Sequence, residues 1–220
     1  MSAKIIDGKA TAADLRVAVA GEVRRLHAAY GLQPGLAVVL VGDNAASKSY
    51  IAGKSRAVID AGMRPFDHQF AADVSENDLI ALVHKLNTDP AVHGILVQMP
   101  LPPQIDTGRV VASLDPAKDV DGFHPLNVGK LASGLPRLAP CTPMGCITLA
   151  KTVHASLSGL EAVVIARSSI VGRPLVQLLL AEDATVTVAH SRPRSCRVVP
   201  PRRPGVHRHG PPRNGARRLD

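Results

Sequence analysis

Tyr50 and Lys54 stand four residues apart, directly after an apolar run from Leu36 to Val41. On a helix that spacing puts a phenol and an amine on one face. Such a pair can exchange protons, because burial and neighbouring groups can bring a lysine amine towards neutrality. The same spacing also describes ordinary surface neighbours. A second polar group closes another apolar run: Gly94-Ile-Leu-Val-Gln98, followed by Met99-Pro-Leu-Pro102. A glutamine at the carboxyl end of a buried strand lies where open α/β sheets place their ligands, and it can bond to a lysine or to loop backbone.

Two further segments carry chemistry-bearing residues. Lys118-Asp-Val-Asp-Gly-Phe-His124 holds Asp119, Asp121 and His124. Their spacing matches no strong metal pattern, and turn-forming Asp and Gly explain the segment equally well, so no metal is expected. One carboxylate of this loop could instead grip an amidine-like heterocycle through two hydrogen bonds. In Pro140-Cys-Thr-Pro-Met-Gly145, Cys141 precedes a helix start. A thiol there can be activated, but a small packing residue is the simpler reading. Finally, Val163-Val-Ile-Ala-Arg-Ser-Ser-Ile-Val-Gly-Arg-Pro174 reads as a strand, a tight turn and a helix start. That arrangement accepts a phosphate. Arg167 suits a second one, such as the 2′-phosphate of NADP, and Ser191 follows the next strand, where dinucleotides are discriminated.

The elements that must position these residues alternate. Helices are expected at Thr11–Tyr30, Ala45–Ala61, Asn77–Leu86, Thr107–Leu114, Pro143–Ser156 and Gly172 to about Leu180, with Ser75 or Asn77 capping the third. Strands are expected at Leu36–Gly42, Phe66–Phe70, Val92–Gln98, Leu160–Ala166 and Thr185–His190, with Asp115–Asn127 as a loop. The pattern predicts an α/β fold with a parallel sheet in each of two parts, divided between Asn127 and Pro143.

Composition limits the partners. Apolar residues make up 45% of the chain but aromatics only 2%, so the core must be Val, Leu, Ile and Ala, as in sheets buried on both faces. No apolar run is long enough to span a membrane, and no signal peptide opens the chain. Three cysteines form no disulfide framework, which points to a reducing, cytoplasmic setting. The net charge of +8 resides in the tail: residues 193–220 hold eight Arg and one acid, leaving 18 bases and 17 acids in the rest. The tail has six prolines and no aromatic residue. It is therefore expected to be disordered rather than a nucleic-acid-binding module.

From Ile5 to about Arg192 these segments, taken in order, resemble the bifunctional methylenetetrahydrofolate dehydrogenase/cyclohydrolase family, known as FolD in bacteria. The motifs carrying the resemblance are Ile6-Asp-Gly-Lys9, Tyr50-Ile-Ala-Gly-Lys54, Gly94 to Pro102, Lys118 to Phe123, Pro140 to Gly145, and Arg167-Ser168 with Ile170-Val-Gly172. The resemblance implies an N-terminal α/β catalytic domain over residues 1–139 and a partial Rossmann-like NADP-binding domain over 140–192. It implies a cytoplasmic homodimer with tetrahydrofolate as substrate and NADP as cofactor. Carried over residue by residue, Lys54 is the acid/base group, Tyr50 orders the folate, Gln98 positions the lysine and Asp121 holds the pterin. Ala166, Arg167, Ser168, Gly172 and Ser191 contact NADP. Another NADP-dependent α/β dehydrogenase would account for the Arg167 segment but not for Lys54, Gln98 and Asp121 together.

Two departures from the family stand out. Ala166 replaces a usual glycine, and its methyl would strain the turn if φ were positive there. After Arg192 the family pattern stops. Codons exist for Gly210 to Asp220 that, read one base later, encode a segment of the kind the family carries there. A single-base frame error near residues 191–193 is therefore expected, with an exposed sheet edge, little dehydrogenase activity and conceivable residual hydrolysis.

Overall fold

Strand β1 (Gly35–Val41) is buried along nearly its whole length, as a Val- and Leu-rich strand flanked on both sides must be. It runs parallel to β2 (Arg64–Phe70) on one side and to β3 (Gly94–Val97) on the other. The three-stranded order is β2-β1-β3, and a second, two-stranded parallel sheet joins β4 (Glu161–Ile165) to β5 (Thr185–Ala189). A computed structural model of the chain describes residues 5–43, 45–135 and 138–190; the side chains of residues 45–50 and 52 lie outside that description. The described elements belong to one compact unit, residues 1–189.

Seven helices among the described residues connect these strands. They are α1 (Gly8–Tyr30), α2 (Ala45–Asp60), α3 (Glu76–Thr88), α4 (Thr107–Ser113), α5 (Pro125–Ala132), α6 (Cys141–Lys151) and α7 (Gly172–Ala181). Local chemistry sets their ends. Asp7 accepts from the Ala10 N–H at the start of α1, and Gly31 ends it in the left-handed conformation at φ 66°. Ser75 caps α3 by accepting from the Asp78 N–H, as its sequence position predicts, and Asp106 caps α4.

Valines and leucines fill the main core: Val39 and Val41 of β1, Leu79 and Val83 of α3, Ile95 and Val97 of β3, and Val110 of α4. Each contributes about 1.5–3 kcal/mol by leaving water. A second cluster joins Leu131 of α5 to Ile147 of α6, Leu157 and Leu178 of α7.

Several boundaries differ from the sequence reading; α1 begins at Gly8 rather than Thr11, α3 ends at Thr88 rather than Leu86, and β3 begins at Gly94 rather than Val92. The segment read as a loop to Asn127 contains the start of α5, which begins with Pro125 at its first turn and His124 as its cap. Helix α6 starts two residues early at Cys141 and stops at Lys151 rather than Ser156. The β-branched Thr152 and Val153 follow its last turn, where helix propensity is low. Strand β2 begins at Arg64, two residues before Phe66.

Candidate active site

Register carries Gln98 to the site. Val39 pairs with Val97, and the next backbone N–H, that of Gln98, donates to the Val39 carbonyl at 2.9 Å. The Gln98 side chain then has its orientation fixed from both ends. Its NH2 donates to the Met99 carbonyl at 2.8 Å, which turns Oε1 towards Lys54, whose Nζ lies 3.5 Å away. Lys54 comes from α2, the crossover helix between β1 and β2. Tyr50 lies on the same helix one turn earlier, and its side chain is outside the described residues.

A cavity of about 450 Å³ holds Lys54 and Asp121 together. Leu36 and Leu96 of the sheet, Val58 of α2, Phe123, Cys141 and Ile170 also line it. Its walls are mostly apolar, so charges inside are poorly solvated. Burial pulls the Lys54 amine below its ordinary value of 10.5, opposed by Asp121 and then Cys141. Burial likewise lifts the Asp121 carboxyl above its ordinary 3.8; Lys54 opposes this and Asp119 adds to it. Both shifts favour uncharged forms, while each group's charge favours the charged form of the other.

Cys141 opens α6 within this cavity, and burial first, then Asp121, lift its thiol above the ordinary range. A raised thiol is the opposite of an activated nucleophile. It therefore lines the site without the reactivity that a helix start could have conferred. Asp119, Asp121 and His124 do not converge on a metal. Asp121 faces the cavity, Asp119 is buried behind it, and His124 Nδ1 accepts from the Leu126 N–H to cap α5. Among the described residues no group of three or more His, Cys, Asp or Glu is arranged to hold a metal ion. No described helix is long and apolar enough to cross a membrane.

The segment expected to accept a phosphate lies at the join of β4 and α7. The Ser168 hydroxyl accepts from the Val171 and Gly172 N–H groups at 3.2 and 3.1 Å, closing the turn. A Cβ on Gly172 would stand 2.7 Å from the Ala166 carbonyl carbon and the Arg167 nitrogen. Only glycine fits there, and that leaves the backbone bare at the helix start. Arg167 is exposed beside it. Ala166 has no positive φ; among the described non-glycine residues only Asp183 does, so the methyl of Ala166 imposes no backbone strain. A bare helix start beside an exposed guanidinium fits the phosphates of a dinucleotide. Ser191 lies outside the described residues.

Phe123, Met99 and Ile170 were not picked out from the sequence as site residues. Phe123 and Ile170 line both this cavity and a neighbouring one of about 500 Å³, which Met99 also lines. The only sequence signal for them was adjacency to Asp121, Gln98 and the Ser168 turn.

A family model described as tetrahydrofolate dehydrogenase/cyclohydrolase, catalytic domain, matches residues 6–121, and that family's NAD(P)-binding domain matches residues 140–200. The bifunctional protein FolD of Nitrobacter winogradskyi is 62% identical over 195 residues, covering 89% of this chain and 66% of that protein. FolD of Bradyrhizobium sp. is also 62% identical, over 88% of this chain and 66% of its own. The chain thus spans about two thirds of the length of these curated relatives. The crystal structure of the bifunctional FolD methylenetetrahydrofolate dehydrogenase/cyclohydrolase from Campylobacter jejuni aligns with a TM-score of 0.84 at 41% identity, over 87% of this chain and 68% of that one. The methylenetetrahydrofolate dehydrogenase-cyclohydrolase of Trypanosoma brucei, solved with NADP cofactor and inhibitor, aligns at 0.83 with 36% identity, over 87% and 66%.

Proposed function

Because the chain belongs to the tetrahydrofolate dehydrogenase/cyclohydrolase family, we propose that it acts on one-carbon derivatives of tetrahydrofolate. The reactions are oxidation of 5,10-methylenetetrahydrofolate with NADP and hydrolysis of the 5,10-methenyl product to 10-formyltetrahydrofolate. The observation that carries this reading is Lys54, held 3.5 Å from Gln98 Oε1 and lining one cavity with Asp121.

In hydrolysis, water adds to the cationic methenyl carbon, the bond from that carbon to N5 breaks as N5 takes up a proton, and the added water must lose one. Lys54 takes it. Burial lowers the proton affinity of this amine, which favours its role as a base and weakens the case for a second cation beside the substrate's own. Gln98 accepts an N–H from Lys54, which turns the amine's lone pair away from the glutamine and into the cavity. Asp121 accepts from the amidine-like edge of the pterin, a bond made stronger by the site's partial dryness. Tyr50 orders the folate on the α2 side.

Bound NADP supplies the hydride acceptor for the oxidation. The residues assigned to it are Arg167, for a phosphate, Ala166, Ser168 and Gly172 around the helix start, and Ser191. The Trypanosoma brucei structure with NADP supports the same cofactor here. Residues 1–139 are assigned the folate chemistry and residues 140–192 the cofactor, a division supported by two separate sheets. A cytoplasmic homodimer feeding purine and amino-acid biosynthesis completes the proposal. The outer edge of β2 is unpaired among the described strands and can receive a second copy.

Incubation of the chain with 5,10-methenyltetrahydrofolate tests this reading. Formation of 10-formyltetrahydrofolate above the buffer rate is expected. A chain that neither binds nor converts folates, yet reduces NADP with another substrate, would overturn it in favour of a different α/β dehydrogenase.

A further inference from the structure

Asp119 sits two residues before Asp121 and is 1% exposed. It is absent from the cavity lining, and its carboxylate is spent on holding backbone and side chain together. One oxygen, Oδ2, accepts from the His124 backbone N–H at 2.8 Å and from Asn127 Nδ2 at 2.9 Å. Asn127, 2% exposed, also donates to the Pro116 carbonyl at 2.8 Å. One carboxylate and one carboxamide therefore bind both ends of the turn, residues 116 and 124, to the first turn of α5.

The same turn is tied to the sheet. Ile95 N–H donates to the Lys118 carbonyl at 2.7 Å, and Lys118 Nζ donates to the Leu86 and Asp89 carbonyls at the end of α3. Asp121 is thus the half-buried tip of a segment fastened on each side, and Asp119 is the fastening nearest to it.

We propose that Asp119 is a positioning residue of the folate site, holding the turn so that Asp121 enters the cavity opposite Lys54. This rests on the reading of Asp121 as the pterin-binding carboxylate. A neutral side chain such as Asn could offer its oxygen to the same two donors without the cost of burying a charge. The charge does something an amide could not: it bears on Asp121. The titratable groups facing Asp121 are Lys54 from α2, Cys141 at the start of α6, and Asp119 from its own turn. Of these, Asp119 is the one that raises the Asp121 carboxyl, working with burial and against Lys54.

The test compares the full chain with Asp119→Asn and Asn127→Ala. Two quantities are read: the Asp121 carboxyl titration by carbon NMR, assigned through Asp121→Asn, and the affinity for 5,10-methenyltetrahydrofolate. In Asp119→Asn, which keeps an oxygen for both donors, the Asp121 midpoint is expected to fall with folate affinity little changed, whereas Asn127→Ala, which unfastens the turn, is expected to lower folate affinity on the order of tenfold. Where turnover is measurable, KM carries the loss and kcat changes less than about twofold, because Lys54 and Gln98 stand on other elements. An unmoved midpoint in folded Asp119→Asn, or unchanged affinity in Asn127→Ala, overturns the proposal. If Asp119→Asn does not fold, Asn127→Ala alone decides: weaker folate binding supports the role, and unchanged binding overturns it. If the unaltered chain binds no folate, the functional reading fails, and the Asp121 midpoint alone still decides the role of Asp119.

Discussion

Gln98 presents its carboxamide oxygen 3.5 Å from Lys54 Nζ while its NH2 is committed to the Met99 carbonyl. The amide cannot turn over without losing the second bond, so the lysine meets an acceptor and never a donor. A neutral acceptor orients the amine without stabilising its charged form as strongly as a carboxylate would.

Gln98→Glu should therefore raise the pKa of Lys54 and move the rising limb of hydrolysis to higher pH. At pH 7 the rate should fall by roughly tenfold, with partial recovery as the pH rises. A pH–rate profile of the two proteins checks this. An unshifted limb would detach Gln98 from the protonation of Lys54.

Asp121 costs stability where it is charged. Its folded carboxyl lies above 3.8, so its favourable contribution is complete below 3.8 and is lost as pH rises through the folded value. Asp121→Asn should accordingly melt higher than the unaltered protein at pH 7, by about 2 °C. The gap should close as pH approaches 3.8. Thermal melts at the two pH values, with folate binding abolished in the variant, distinguish this from simple damage.

Gly122 follows Asp121 with φ 64°, and a Cβ there would lie 2.8 Å from the Leu138 oxygen and 2.9 Å from the Ala139 Cα. Gly122→Ala combines a disfavoured backbone with a clash against main chain that cannot swing aside. It should cost about 1–3 kcal/mol in denaturant unfolding. It should also weaken folate binding, because relieving the clash displaces the Asp121 turn.

Much of this site was legible in the sequence, for a physical reason. Gln98 and Arg167 end apolar runs, and in parallel sheets ligands gather at strand ends. Lys54 follows a strand on a helix, and its four-residue spacing from Tyr50 survives as a shared helix. What was not legible depended on contacts distant in sequence. Asp119 and Asp121 are chemically identical and two residues apart; only the packing of α5 sends one into the core and the other into the cavity. Helix α5 was read as part of a loop because its eight residues include Asn127 and Gly129, although Pro125 in its first turn was a usable start signal. Cys141 was weighed as a packing residue, and its place beside Lys54 and Asp121 came from the docking of α6. The alanine at 166 raised a concern about strain that the backbone removes, while Gly172 bears the close approach instead.

The central claim is that Lys54 performs the proton transfer of hydrolysis, and Lys54→Met tests it most directly. The side chain keeps its length and loses its amine. Decay of 5,10-methenyltetrahydrofolate should occur with the unaltered chain and fall to the buffer rate with the variant, a loss of at least about a hundredfold in any enzymatic component. Folate binding should persist in the variant. Hydrolysis by Lys54→Met at the unaltered rate would contradict the account.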